Sequence, residues 1–426
     1  MTAMRNSQSR AGTGFLAYGR RLSTLWGIIA YRWYWLGSAT QGLAQATQFL
    51  VIGWLVLEVT GSSAQLGLVV SIYGVPNVAF LLIAGVIADR FDRRYIMMFT
   101  QVVAGGLLAV LAFLTATELV AVWHIYVAAA FLGASQSISV PARMSVIADL
   151  VEERSILDAI AMQNAAVHAG RIMGPPIAGI IIEVWGLHES LLVVAGCYIV
   201  SVACVAKIGP IRRAAPSIAK SVFRNFADGI IYIKKTPVIL TSIVITCSFG
   251  GFGMSHMQVL PAMAKDTLGI GAADIGLLLL ASGIGSFIGS FILPFIGRDQ
   301  VYRSLLICLV LFAAFLTLFA WSNWFWVTWM FFLFVGVVSV GMVWPLATTI
   351  IQVESAPELR GRVMAVLSFT PGFHFLGAFP LALAAGVWGW EIAITGAAGA
   401  SLFVTIWFAL VRSGAPKLRS TAPEAA

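Results

Sequence analysis

Charge is what this sequence has least of. Only 10% of its 426 residues are Asp, Glu, Lys or Arg, against about a quarter in an ordinary soluble domain. A chain of this length with so few charges cannot cover a water-facing surface, which sets a soluble enzyme aside. Cysteine is scarce too. Cys197, Cys204, Cys247 and Cys308 all lie in apolar stretches without metal-ligand spacing. Cys197 and Cys204 are seven residues apart, about 10 Å along a helix, too far to bridge. There is no phosphate-binding P-loop, so ATP is not the direct energy source. No Asp or Glu falls near the centre of an apolar stretch, and no buried carboxylate pair or metal-spaced His/Cys set is visible. No catalytic residue, metal or cofactor is therefore assigned.

What the chain does have is apolar length. Sixty per cent of it is hydrophobic and the mean hydropathy is +0.93. A bilayer core of about 30 Å takes about 20 apolar residues per helix. Twelve stretches qualify, at residues 34–58, 65–88, 95–116, 121–147, 157–184, 188–208, 238–262, 272–296, 302–321, 324–349, 362–387 and 390–411. The expected fold is all-α and membrane-integral. The first apolar patch, 26–30, is followed by Arg32 rather than a cleavage site, so it does not read as a signal peptide. The stretch 15–35 is expected to lie along the membrane interface as an amphipathic helix.

The net charge of +8 and isoelectric point near 9.5 would suggest nucleic acid in a soluble protein. Here the basic residues sit in short connections between apolar stretches, where membrane orientation is the simpler reading. With the N-terminus inside, 24 of the 26 Lys and Arg fall on the cytoplasmic side; Lys265 is outside and Arg171 is within a span. The opposite side carries Glu58, Glu118, Glu183, Glu189, Asp266, Asp274 and Glu391. This segregation supports twelve spans with both ends cytoplasmic. The layout reads as a cytoplasmic tail (1–33), a six-helix bundle (34–208), a cytoplasmic linker (209–237), a second six-helix bundle (238–411) and a C-terminal tail (412–426).

The two halves look related. Val184-Trp185-Gly186 ends span 5 and Val387-Trp388-Gly389 ends span 11, an offset of 203; at that offset Gly174 matches Gly377 and Arg171 matches His374. Leu66-Gly67-Leu68 resembles Ile275-Gly276-Leu277, and Gly74 matches Gly283, at offset 209. Parallel repeats of six spans place a substrate site between the halves, near mid-membrane.

Between spans 2 and 3 the chain reads Gly85-Val86-Ile87-Ala88-Asp89-Arg90-Phe91-Asp92-Arg93-Arg94. By itself this is a tight positive-inside loop with an acid at a helix end. It also resembles the signature loop of the major facilitator superfamily, with Asp92 where the family has Gly. The resemblance covers about residues 34–411. It implies that Asp89 contacts the start of span 11 near Gly361 and Arg362, where the helix dipole and free N–H groups favour a carboxylate. Asp89 would then be a gate residue rather than a substrate ligand, with Gly85, Arg90, Arg93 and Arg94 completing the motif. Asp92 could compete for those arginines.

After span 4 come Pro141-Ala142-Arg143 and Ile147-Ala148-Asp149, and after span 10 comes Pro357-Glu358-Leu359-Arg360-Gly361-Arg362. These resemble the branch holding the enterobactin exporter and macrolide efflux proteins. Read physically, they are charged loops that either bridge the halves through Arg143, Asp149, Glu152, Glu358 and Arg360 or are merely solvated. In span 5, Gly170, Gly174, Pro175 and Gly179 resemble the antiporter motif of the superfamily, with Ala178 in place of one Gly. Ordinary close packing of small residues is the alternative reading.

Polar residues inside the spans are the cavity candidates. Gln41, Gln45 and Gln48 share one face of span 1; Asn77, Gln136, Asn164, His168, Arg171, His256 and His374 join them. Burying Arg171 costs at least about 2.5 kcal/mol, so it is expected to face a cavity or a partner. The histidines read either as cavity groups or as packing residues. The expectation is a secondary transporter, monomeric and lipid-embedded, that exports a small organic molecule by alternating access with proton coupling. The rivals are an uptake carrier or facilitator of the same fold and a non-transporting membrane sensor.

Overall fold

The computed structural model describes residues 24–209 and 222–411, except a few side chains, Asp89 among them. Residues 1–23, the C-terminal tail and the middle of the linker lie outside the described residues; of the amphipathic stretch expected at 15–35, residues 29–35 belong instead to the span 1 helix. Span 1 is one long helix, Ile29–Thr60, starting five residues earlier than expected. It is followed by span 3, Arg93–Ala116, span 4, Val122–Leu150, span 5, Ile156–Val184, and span 6, Leu187–Ala206. In the second half, span 8 is Ala272–Ile292, span 9 Val301–Ala320 and span 12 Trp390–Val411. Eleven helical segments among the described residues are long and apolar enough to cross a membrane. The twelfth, span 2, is split into Ser63–Ala79 and Leu81–Arg90 by a turn at Phe80, one helical turn after Pro76.

Other spans break where the sequence permits it. Span 7 runs as Pro237–Ser248, a π-helical turn Phe249–Gly253 containing three glycines, His256–Met263 and a second π-turn, Ala264–Leu268. Span 10 has a π-turn at Ser339–Val343 between Phe325–Val338 and Trp344–Glu354. Span 11 divides into Pro357–Leu367 and Gly372–Trp388, with Pro371 before the second piece. Such interruptions relax the i→i−4 ladder and are frequent at functional positions.

One end of the molecule holds the turns between odd and even spans; we call it the acidic end. Gly61, Gly186, Gly269 and Gly389 all have positive φ there (60°, 112°, 62° and 85°), which allows very short connections. Gly186 and Gly389 are the repeat partners at offset 203. The other end carries the arginine loops and is the basic end.

The halves meet along two lines that are copies of each other. Span 2 packs on span 11, and span 8 packs on span 5. A Cβ on Gly67 would lie 2.8 Å from the Ala382 Cβ and 2.9 Å from the Ala378 carbonyl oxygen. A Cβ on Gly276 would lie 2.7 Å from the Pro175 carbonyl oxygen and 2.8 Å from the Pro176 Cα. Gly67 and Gly276 are 209 apart, Ala378 and Pro175 are 203 apart, and so are Phe379 and Pro176. Further along, Gly74 abuts Phe375 and Gly283 abuts Ile172, again partners at the two offsets. The weak repeat in the sequence is thus a repeated contact in space. Close approach of small residues is how helices associate without a hydrophobic driving force.

One polar contact adds to this closure at the acidic end, and a second, within the second half, holds its acceptor in place. The Ser63 hydroxyl donates to Asp266 at 2.7 Å, and the Trp390 indole N–H donates to the same carboxylate at 2.9 Å. Gly276→Val sets a branched side chain into the Pro175–Pro176 backbone. The variant should fold, because the clash lies between bundles, and should lose closure of this end. A reporter S63C should then react with a soluble maleimide several-fold faster than in the Gly276 parent. An unchanged rate would mean that the contact does not hold this end shut.

Candidate functional site

The site is built where the two halves separate. On span 5, Ile172, Pro176 and Gly179 face span 8. His168 and Asn164 continue that face toward the basic end, and both are exposed. Arg171 is also exposed, although its neighbour Gly170 is packed against Gly42 and Leu43 of span 1. Its charge interacts with His168, with Arg143 of span 4 and with His374 of span 11. Arg171 is thus an exposed charge on span 5, next to the face that packs on the other half, and His374, its match in the repeat, lies on span 11.

Arg143 corrects the sequence reading. It was expected in a loop, and it lies inside span 4, only 6% exposed. Pro141 lies inside the helix, which continues to Leu150 and buries Ala142, Arg143, Val146 and Ile147. The 139–143–146 spacing of that buried face was the available signal. Its backbone carbonyl accepts from the Tyr34 hydroxyl at 3.0 Å, while its own Nε has no hydrogen-bond partner. Among the described residues the ion pairs are Arg93–Asp149, Arg154–Glu152, His188–Glu189 and Arg362–Asp228. Neither Arg143 nor Arg171 is in one, so the proposed bridging of the halves through Arg143 and Asp149 is not what the structure has.

Above the arginines, toward the acidic end, an aromatic layer joins the halves. Phe375 lies 5.0 Å from Tyr73 and 5.9 Å from Phe49, centroid to centroid. His374 lies beside Phe375 at 4.2 Å. This layer and the glycine contacts beyond it form a roof.

The amides of span 1 serve a different role. Gln41 accepts from the Gln101 amide at 3.0 Å and donates to Ser139 at 3.1 Å. Gln48 accepts from the Tyr198 hydroxyl at 2.9 Å. Gln45 and Gln136 join them around a small cavity of about 10 Å³, room for one water. The Asn77 amide donates to the Gly133 carbonyl at 3.3 Å. Gln41, Gln48 and Asn77 are thus bonded within the first bundle rather than aimed between the halves. His256 is likewise not at the cavity. It is 2% exposed, surrounded by Phe312, Phe319 and Phe332, with Nδ1 2.5 Å from the Gly253 carbonyl. Glu58 and Glu183 line a separate space of about 400 Å³ at the acidic end.

At the basic end Asp92 caps span 3, its carboxylate accepting from the Arg94 N–H at 2.9 Å. It does not compete for the arginines: Arg93 pairs with Asp149 at 2.5 Å and Arg94 donates to the Ile208 carbonyl at 2.6 Å. Arg90 is exposed, and nothing lies within 4 Å of where a Cβ on Gly85 or Gly361 would stand. Arg362 pairs at 2.8 Å with Asp228, on a helix spanning Val222–Lys235. That linker helix was not foreseen; it packs on the first piece of span 11, where the Ala356 N–H donates to the Tyr232 hydroxyl at 3.1 Å. The Asp89 side chain lies outside the described residues. In span 5, Gly170 and Gly174 touch span 1, while Pro175 and Gly179 touch span 8. The motif therefore serves packing within one half and between the two.

The Major Facilitator Superfamily model matches residues 34–378, and the chain belongs to that family. It is a multi-pass membrane transport protein, of a family whose members bind small-molecule substrates. It is 22% identical to the staphyloferrin A transporter of Staphylococcus aureus over 79% of this chain and 85% of that one. It is 25% identical to the multidrug efflux pump Tap of Mycolicibacterium fortuitum over 82% and 88%. The match to an uncharacterized transporter of Bacillus subtilis, YfiS, spans only 45% of either chain. The nucleoside transporter NupG has the same fold, with a TM-score of 0.73 at 12% identity over 89% of this chain and 98% of that one. So does a bacterial Spinster homologue in its inward-facing, unoccupied form (TM-score 0.72, 12% identity, 89% and 96% covered).

Asp92 gives a direct test of the basic-end assignment. Asp92→Ala should lower stability by about 1 kcal/mol through loss of the cap. Asp92→Gly, which installs the residue usual in the family, should cost only a few tenths. Thermal unfolding of the purified variants ranks them, and equal losses would contradict the capping role.

Proposed function

We propose that this transporter exports a small organic molecule, siderophore- or drug-like, across a bacterial inner membrane by alternating access, in exchange for protons. The reading starts from the orientation of the chain. The arginine-rich end is cytoplasmic, as the segregation of basic residues argues. In the structure the opposite end is shut by the two glycine seams, and Arg171, His168 and Asn164 are exposed below the roof. That is an inward-open arrangement, ready to take a substrate from the cytoplasm. Rocking the halves about the Phe49–Tyr73–Phe375 layer would part the seams and bring the basic ends together.

The observation that carries this reading is the pair of equivalent seams. Because spans 2 and 11 and spans 8 and 5 make the same contact, one rigid-body rotation opens both at once. Closure at the cytoplasmic side is then the work of the signature loop. Asp89 would meet the N-terminal turn of span 11, beginning at Pro357, where free N–H groups favour a carboxylate. Export and proton exchange draw further support from the printed functions of the relatives, which include efflux pumps, and from the Gly-Pro motif of span 5. Among the described residues, His168, exposed on span 5, and His374, beside the aromatic layer, are the histidines nearest the interface of the halves.

Everted membrane vesicles energised by respiration test the reading. Accumulation of a substrate from a panel of catechol siderophores, macrolides and cationic dyes should be abolished by a protonophore. Accumulation that ignores the protonophore would remove proton exchange, and accumulation only in right-side-out vesicles would make the protein an uptake carrier. Asp89→Asn should lower turnover at least about tenfold with unchanged expression; normal turnover would refute its role as gate.

A further inference from the structure

We infer that the linker helix, Val222–Lys235, is a wedge that keeps the basic ends of spans 2 and 11 apart, and that Asp228 seats it. This rests on the inward-open reading and on rocking of the halves. It names the part of the chain that must leave its place before the basic end can close.

Spans 2 and 11 stop using their seam at one level. The seam runs from Gly67 against Ala378 and Ala382, past Gly74 against Phe375, to Gly372, where a Cβ would run into the Val78 side chain. Just beyond, both helices break, span 2 at Phe80 and span 11 at residues 368–371. Past the breaks lie two short pieces, Leu81–Arg90 and Pro357–Leu367. Nothing stands within 4 Å of a Cβ built on Gly85 or on Gly361, so neither glycine serves a close approach like those at Gly67 and Gly74. The linker helix packs on the piece of span 11 and lies beside the piece of span 2. A helix that belongs to neither bundle thus stands next to both of the ends that closure has to bring together.

Its seat is on span 11. A Cβ on Gly229 would stand 2.8 Å from the Arg362 carbonyl oxygen, so the two backbones touch. Glycine is a poor residue for a helix interior, and here it is what permits that contact. Beside it, the Asp228 carboxylate accepts from the Arg362 guanidinium at 2.8 Å. One turn further along, the Tyr232 hydroxyl accepts from the Ala356 N–H at 3.1 Å, and Ile233 is buried in a cluster with Val363 and Leu367. At the other end, the Phe226 ring lies 5.0 Å from that of Phe369, inside the break of span 11. The ion pair is part-exposed, its side chains 33% and 38% accessible, and such a pair is weak. A weak pair suits a seat that is left and regained in every cycle. Arg362 also belongs to the stretch that the signature loop would meet on closure. While Asp228 holds it, wedge and gate exclude each other.

The test uses the full-length protein with the S63C reporter, whose rate with a soluble maleimide reads opening of the acidic end. Asp228→Asn should unseat the wedge, favour closure of the basic end and raise that rate about two- to fivefold, the effect of one part-exposed ion pair. Gly229→Val, which sets a branched side chain against the Arg362 backbone, should raise it further. The charge-swapped pair D228R with R362D should bring the rate back toward the parent value, which a merely loosened fold would not do. An unchanged or slower rate in Asp228→Asn, or no recovery in the swapped pair, would overturn the inference; a slower rate would make the helix a clamp on the basic end. Gly276→Val separates this from the rocking of the halves. If it exposes S63C and the linker variants do not, the rocking stands and the wedge falls. If it leaves S63C protected, the seams are not the closure and both readings fall.

Discussion

Everything in this structure depends on how closely two backbones can approach at Gly67 and at Gly276. With no side chain there, the span 2 backbone rests on Ala378 and Phe379, and the span 8 backbone rests on Pro175 and Pro176. Inside a bilayer there is little hydrophobic gain from bringing apolar helices together, so this van der Waals contact is a main source of cohesion. Because the contact occurs twice, related by the repeat, the halves have a common axis to turn about. Because it is confined to one end, the other end is free to open around the arginines.

The polar interior divides by role along the same lines. Within the first bundle the amides and hydroxyls of Gln41, Gln101, Ser139, Gln48 and Tyr198 satisfy one another, and such a network holds a bundle rigid. Within the second, His256 is enclosed by three phenylalanines. Beside the interface of the bundles Asn164, His168 and Arg171 are exposed. A rocking carrier needs rigid halves and an unfulfilled site between them, and the residues are distributed in that way.

The span count, the division into halves and the membership of the superfamily were legible in the sequence because each rests on a local pattern: apolar length, segregation of charge, the Asp89 loop. The repeat was legible only faintly, through the Trp-Gly pairs, since identical contacts in space need only a few small residues to be kept. The site was half legible. Arg171 stood out as a charge in an apolar stretch. Arg143 did not, because the charges around it made the end of a helix look like a loop. The hydrogen bonds that draw Gln41 and Gln48 into their own bundle depend on Gln101 and Tyr198, 60 and 150 residues away, and no spacing rule connects them. Asp228 was hidden in a polar linker whose helix forms against span 11.

The central claim is that the acidic end must open and shut in each cycle by the parting and rejoining of the glycine seams. Ser63 and Asp266, hydrogen-bonded across the halves at that end, allow it to be fixed in place. With both changed to cysteine (S63C and D266C) and joined by a short thiol crosslinker, transport should stop, and a cleavable crosslinker should restore it on reduction. Undiminished turnover in the fully crosslinked protein would contradict the account, since substrate would then be crossing without the acidic end opening.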